Sequence, residues 1–290
     1  MVVQVAWALV AAVALAWSAV LEHGEARRQP AHLALTPRLL AGLLMRRRWL
    51  AGIGVGILGI SAQALALHAG PVTTVQVIKT SSVAFALLFA AAGRMQRLRR
   101  RDLVLVIALL VSMGAFLVSA DPTGGRSAHG LRPWLAPSAI TMGLAGAALA
   151  AAARCSGRSR AVALGAATGI IWAYTSLLLK ASTADVAGLG VGALSQMAPW
   201  ALLVVGFLGT IINQSAFQAG ELIWSLPAIT VVEPVVGSAL AVLVFDERLQ
   251  ATGGAARAIA VVGALVALVS AAGLGHHLRP ATGATDGSTP

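Results

Sequence analysis

Cysteine is nearly absent: Cys155 stands alone among 290 residues. That excludes an internal disulfide and a cysteine-built metal cage. Charged residues are scarce as well, at 11% of the chain, with only 10 Asp and Glu. No Gly-Lys-Ser/Thr phosphate loop is present, so nothing in the sequence would hold ATP to drive a pump. Neither a His-Glu-x-x-His helix nor a Gly-x-Ser-x-Gly elbow occurs, which leaves no positive case for an enzyme. His23, His32, His68, His129, His276 and His277 lack zinc-ligand spacing.

What is abundant is apolar length. The chain is 58% hydrophobic, with a mean hydropathy of +0.84, outside the range of soluble domains. Nine apolar runs of spanning length lie near 2–21, 49–68, 72–93, 103–120, 134–153, 161–180, 199–218, 222–245 and 252–273. The first run lacks a basic n-region and is long for a signal peptide, so a retained helix is expected. The net charge of +11 does not point to nucleic acid, because the arginines sit between apolar runs rather than on one soluble face.

The first connection carries Arg27, Arg28, Arg38, Arg46, Arg47 and Arg48, the third Arg94, Arg97, Arg99, Arg100 and Arg101, and the fifth Arg154, Arg158 and Arg160. Between them, Ala69–Val72 has no basic residue and 121–133 has only Arg126 and Arg132. Since cytoplasmic loops gather Lys and Arg, the N-terminus is expected outside and the C-terminus in the cytoplasm. Residues 182–198, rich in glycine and interrupted by Asp185, read as an external loop or a shallow re-entrant segment. The tail, 274–290, is expected to be disordered and cytoplasmic.

The eighth run carries Glu233 near its centre, with Pro234 after it and Pro227 before it. An ionised group at that depth costs about 2.5–3.5 kcal/mol on insertion scales and normally faces a cavity or a partner. Each proline removes one helical N–H and displaces a carbonyl, so Pro227 and Pro234 are expected to break the helix. A carboxylate beside freed carbonyls is one way to build a transport site at the bilayer midplane. A simple kink, with Glu233 paired to another helix, is the competing reading.

The two halves also echo each other. Ser61–Gly70 lies over Ile211–Gly220, pairing Gln63 with Asn213 and His68 with Gln218. Ala16-Trp17-Ser18 lies over Ala173-Tyr174-Thr175. After each Ala-Gly turn comes a run with a polar centre: Gln76 and Lys79 in the first half, Glu233 in the second. Counting spans gives the halves opposite orientation, the inverted-repeat pattern of secondary transporters. The expected architecture is an all-α polytopic membrane protein of about nine helices in one transmembrane domain, 1–273, with repeats near 1–153 and 161–273.

Several short stretches carry a family likeness: Ala64–Val72 leading into Val75-Gln76, Val111–Pro122, Ala219–Leu222, Leu226-Pro227-Ala228, Val232-Glu233-Pro234 and Phe245–Leu249. By these the chain resembles the drug/metabolite transporter superfamily, EamA-like, and within it the NIPA-like branch described as magnesium transporters. The resemblance implies two inverted repeats, and a count of nine helices with the N-terminus outside suits the NIPA-like branch. It also implies a magnesium or other divalent-cation path as an alternative cargo, with Glu233 as the oxygen ligand. Lys79 departs from that alternative, because a fixed positive charge opposes a divalent cation.

The function expected is therefore secondary transport of a small solute by alternating access, with a non-transporting membrane scaffold or assembly partner as the reading from another class. The residues expected on the path are Glu233, Lys79, Gln76, Gln63, Asn213 and Gln214, with Trp17 and Tyr174 closing a pocket. Lys79 is the expected counter-ion of Glu233 or the ligand of an anionic substrate group. Trp7, Trp49, Trp134 and Trp200, nearer run ends, are expected in an interfacial belt. Glu22 and Glu25 are read as serving a helix end and loop, and Asp246-Glu247-Arg248 as a solvated turn. Gly52, Gly56, Gly165 and Gly169 have the spacing that lets helices approach closely. The partners expected are the lipid bilayer of the inner membrane and a small solute or cation. A homodimer is compatible with this reading. Neither nucleic acid nor a cofactor is expected.

Overall fold

A computed structural model describes residues 2–92, 100–123, 130–250 and 253–277. Among these, helix dominates: α1 (Val2–Ala26), α2 (Pro37–Leu44), α3 (Arg47–His68), α4 (Val72–Lys79), α5 (Ser82–Ala92), α6 (Arg100–Ala120), α7 (Arg132–Arg154), α8 (Gly157–Leu189), α9 (Met197–Ala219), α10 (Leu222–Phe245) and α11 (Gly253–His277). Two short strands, β1 (Pro122–Thr123) and β2 (Arg248–Leu249), pair antiparallel, with Pro122 opposite Leu249. Six helices are long and apolar enough to cross a membrane: α1, α3, α7, α8 with its extension, α9 and α10. Parts of α6 and α11 form shorter apolar helices. The described chain is accordingly α-helical, and these helices fit a membrane protein. The arginines at 94, 97 and 99, and most of the tail expected to be disordered, lie outside the described residues.

Small residues set the packing. Ala8, Ala11, Ala12 and Ala16 of α1 are fully or almost fully buried, and α1 lies along α3. A Cβ on Gly52 would come within 2.9 Å of Glu22 Cγ, and one on Gly56 within 2.8 Å of Ser18 Oγ. The second half repeats the device: a Cβ on Gly165 would meet Ser225 O at 2.6 Å and one on Gly169 would meet Ile229 O at 2.8 Å. Helix α8 therefore presses directly onto the backbone of α10, the close approach that small-xxx-small spacing permits. Helix α8 also packs on α9 and α7, α6 packs on α11, and α4 lies against α10 and α1.

That pressure explains one correction. Helix α10 continues through Pro227 and Pro234 instead of breaking there. The glycine face of α8 holds the segment in line, and the one proton of Thr230 Oγ1 has Leu226 O at 2.9 Å and Pro227 O at 3.2 Å as its acceptors. The interrupted helix is in the other half: the run from 72 divides into α4 and α5 at Thr80–Ser81. There Thr80 Oγ1 donates to Gln76 O (3.3 Å) and Ser81 Oγ to Ile78 O (2.7 Å), so hydroxyls serve carbonyls at the break.

A second correction concerns 182–198, which is helical and not an irregular loop. Helix α8 runs on to Leu189, passes Gly190 (φ +56°) and continues as a 3₁₀ turn to Ser195. Ala-Ser-Thr-Ala-Asp-Val-Ala contains no glycine or proline, and the first strong stop is Gly190 in the left-handed region. Helix α2 is an element that the run count did not include. Pro37 starts it, and Leu39 and Leu43 bury against Trp49.

Hydrogen bonds sort the connections to two ends of the bundle. Gln4 Nε2 donates to Pro71 O (2.8 Å) and Gln250 N to Asp121 O (3.3 Å), while Lys180 Nζ reaches Gly70 O (3.1 Å). The start of α1, the α3–α4 turn, the end of α6 and the end of α10 thus share one end. At the other, Gln218 Nε2 donates to Gln29 O (3.2 Å) and Pro30 O (2.6 Å), and Leu35 N donates to Ser215 Oγ (2.8 Å). Helix α1 runs away from the first end, and α8 runs towards it.

Candidate functional site

Buried carboxylates mark the bundle along its length: Glu247 at one end, Glu233 about halfway along α10, and Glu22 with Glu25 at the other end. Lys79, the last residue of α4, donates through Nζ to Glu233 Oε1 at 2.5 Å, and each side chain is 10% exposed. This is the ion pair anticipated between the two polar-centred runs. One turn earlier on α4, Gln76 is 1% exposed and neither its Nε2 nor its Oε1 has a hydrogen-bond partner. It packs on Gly237, one turn beyond Glu233, where a Cβ would come within 2.8 Å of Gln76 Nε2. Ser225 Oγ, further back on α10, is buried and also unpartnered. Each unpaired buried polar group costs about 1–3 kcal/mol, so a polar partner arriving here would be rewarded.

Glu247, expected in a solvated turn, is instead the most enclosed carboxylate among the described residues. Asp246 adopts the left-handed conformation (φ +53°) at the end of α10 and turns the chain back over the bundle. Glu247 then accepts from Val72 N (2.6 Å), Thr73 N (3.1 Å), Thr73 Oγ1 (3.0 Å) and Lys180 Nζ (2.9 Å). Lys180 also lies 4.9 Å from the centre of the Phe245 ring. A carboxylate at a helix N-terminus satisfies orphan N–H groups and complements the dipole. The clue in the sequence was the start of α4, Pro71-Val72-Thr73, which has no acidic residue of its own.

Glu22 and Glu25 are likewise buried, contrary to their reading as helix-end and loop residues. Glu25 Oε1 pairs with Arg28 Nη1 at 3.1 Å. Glu22 Oε1 lies 2.5 Å from Ser18 Oγ, Gln214 Nε2 donates to its Oε2, and Ser18 Oγ lies 2.8 Å from Gly52 O. Among the described residues Glu22 belongs to none of the ion pairs. Beside it, His23 Nε2 meets Gly220 O at 3.1 Å.

The remaining expected residues divide. Gln63 Nε2 donates to Ser176 Oγ at 2.8 Å, joining α3 to α8, and Gln214 joins α9 to α1. Asn213, half-buried, is one position off that contact. Trp17 and Tyr174 do not close a pocket together. Trp17 is 51% exposed against Phe89, whereas Tyr174 is buried, with its hydroxyl 2.7 Å from Ser138 Oγ. Trp7 and Trp200 are exposed, as a lipid-facing belt requires. Trp49 and Trp134 are buried, the latter edge-on to Tyr174 and Phe245. Among the described residues, no three of His, Cys, Asp and Glu come together to hold a metal ion.

No model of a known protein family matches the chain, and no solved structure matches it. It is 31% identical over 247 residues to an uncharacterized protein of Corynebacterium glutamicum, covering 85% of this chain and 86% of that protein. The chain belongs to the same family as that protein.

Proposed function

We propose that this chain, with the family it shares with the Corynebacterium protein, is a secondary transporter that moves a small solute across the inner membrane by alternating access. The observation that carries the reading is the Lys79–Glu233 pair with the unpartnered Gln76 beside it, at the contact of α4 with α10. A polar site between two halves, at an interrupted helix, is what such transporters use to hold cargo.

The arrangement of the halves supports it. Nine crossings follow if α4 and α5 together make one and α6 and α11 one each. Corresponding helices then run in opposite directions, as α1 and α8 do. The packing is reciprocal: first on second and third helix within each half, third on third and fourth on fourth between halves. The glutamines are reciprocal too, since Gln63 reaches from α3 to α8 and Gln214 from α9 to α1. The arginine-rich connections put the Glu22 end in the cytoplasm and the Glu247 end outside, with the N-terminus outside. The resemblance to the drug/metabolite transporter superfamily points the same way. Within it, an organic solute with charged or amide groups is favoured over a divalent cation, because the Glu233 carboxylate faces the Lys79 ammonium.

The test is uptake into liposomes holding the purified protein, with magnesium and a panel of amino acids, sugars, nucleosides and organic cations as probes. The expected result is uptake of an organic solute by the wild type that falls to background in Glu233→Gln, with both proteins folded by circular dichroism. Uptake of magnesium alone would favour the cation path. No uptake of any probe by folded protein would leave the scaffold reading.

A further inference from the structure

We propose that Glu22 is a proton-binding site, and that its proton closes the cytoplasmic end of the bundle and couples the transport cycle to a proton gradient. The coupling half of this rests on the transporter reading; the proton half does not. The argument is a count of donors. Ser18 Oγ lies 2.5 Å from Glu22 Oε1 and 2.8 Å from Gly52 O. A hydroxyl has one proton, a backbone carbonyl only accepts, and an ionised carboxylate only accepts. With Glu22 ionised, Ser18 serves one oxygen and leaves the other facing a lone pair. With Glu22 protonated, its O–H donates to Ser18 Oγ and Ser18 donates to Gly52 O. Gln214 Nε2 then donates to the carbonyl oxygen of the acid. Every contact in the chain is satisfied by the neutral form.

The surroundings agree. Glu22 is 6% exposed and lies where α1 meets α3 and α9. Helix α9 contributes no titratable residue, and from α3 the charged residues near this end are Arg47 and Arg48, both exposed. On its own stretch, His23 is bound to Gly220 O, Glu25 is bound to Arg28, and Arg27 is exposed. Arg38 of α2 is exposed, and Lys79 of α4, which also borders α1, is held by Glu233. No cation is therefore in place to stabilise an ionised Glu22 among these residues. Gln214 Oε1, buried and without a partner, is free to receive water or the departing proton's hydrate when this end opens. Release of the proton leaves a buried bare carboxylate, which biases the equilibrium towards the state in which that carboxylate is wet. Cargo exit and proton release thus share one end.

The decisive measurement is infrared spectroscopy of the whole protein in lipid nanodiscs, titrated through neutral pH. A protonated-carboxyl C=O band present at neutral pH is expected, absent in Glu22→Gln and retained in Glu233→Gln. Ser18→Ala, which keeps the acid, should shift that band without removing it, and serves if Glu22→Gln does not fold. Identical spectra for wild type and Glu22→Gln, both folded, overturn the proposal. So does stabilisation of the wild type by sodium over choline that Glu22→Gln lacks, which would make this a sodium site. For the coupling half, an imposed pH gradient should raise solute uptake severalfold in the wild type. In Glu22→Gln, solute exchange should persist and the response to the gradient vanish. Wild-type uptake indifferent to the gradient overturns coupling while leaving the transporter reading intact. Absence of all uptake overturns the transporter reading while the infrared band still decides the proton site.

Discussion

At one end of the bundle Glu247 is gripped by the Lys180 ammonium and by the backbone N–H groups of Val72 and Thr73, whereas at the other Glu22 is held by the uncharged Ser18 and Gln214. Both carboxylates are almost fully enclosed, yet the first has a fixed opposite charge and the second has none. An ion pair of Lys and Glu with helix N–H groups added ties that end together through opposite charges. An acid whose partners are all neutral can be undone by the loss of one proton. The Lys79–Glu233 pair between them is charged like the first end but flanked by unpartnered atoms of Gln76. The difference teaches that burial alone does not say what a carboxylate does; its partners do.

The comparison can be broken most severely at the charged end. Glu247→Ala should leave Lys180 without its carboxylate and the start of α4 without its acceptor. Removing one member of a buried pair costs about 3–5 kcal/mol, so a large fall in the thermal midpoint in detergent, or loss of expression, is expected. Next comes the middle. Lys79→Met should destabilise somewhat less, since that pair is more open than Glu247. The double change Lys79→Met with Glu233→Gln should recover most of the loss while transport stays absent. Failure of the double variant to recover stability would mean the two side chains are not coupled. The smallest effect is expected at the neutral end: Gln218→Leu, which loses its bonds to Gln29 O and Pro30 O, should cost about 0.6 kcal/mol for each, the mean for such bonds in membranes. A thermal shift there as large as that of Glu247→Ala would erase the contrast between the ends.

Much of this organisation was legible in the one-dimensional pattern. Apolar runs have the length of bilayer-crossing helices, and the helices appear where the runs lie. Glu233 and Lys79 were conspicuous because each interrupts such a run, and the structure pairs them. Glu22, Lys180 and Glu247 were not conspicuous, because they fall at run ends, where charge usually means solvent. Whether water reaches a helix end depends on what covers it. Here the covers are Val72–Thr73 and the 214–220 segment, which only the fold brings near. The prolines misled for a related reason. A local rule placed the break at Pro227 and Pro234, but Gly165 and Gly169 of another helix hold that backbone in line, and the break falls at Thr80–Ser81 instead. Pairing Trp17 with Tyr174 as pocket walls overlooked helical phase, which turns one outwards and the other inwards.

The central claim, that the Gln76–Glu233 region is reached in turn from the two sides of the membrane, can be tested directly with a single cysteine. Cys155→Ser removes the native thiol, and Gln76→Cys places one in the closed centre. A membrane-impermeant maleimide would then be applied to right-side-out and to inside-out vesicles. Slow labelling from both sides is the result that alternating access predicts. Labelling from neither side, in a protein still able to fold and insert, would mean that the buried pair is a fixed structural core and would contradict the account.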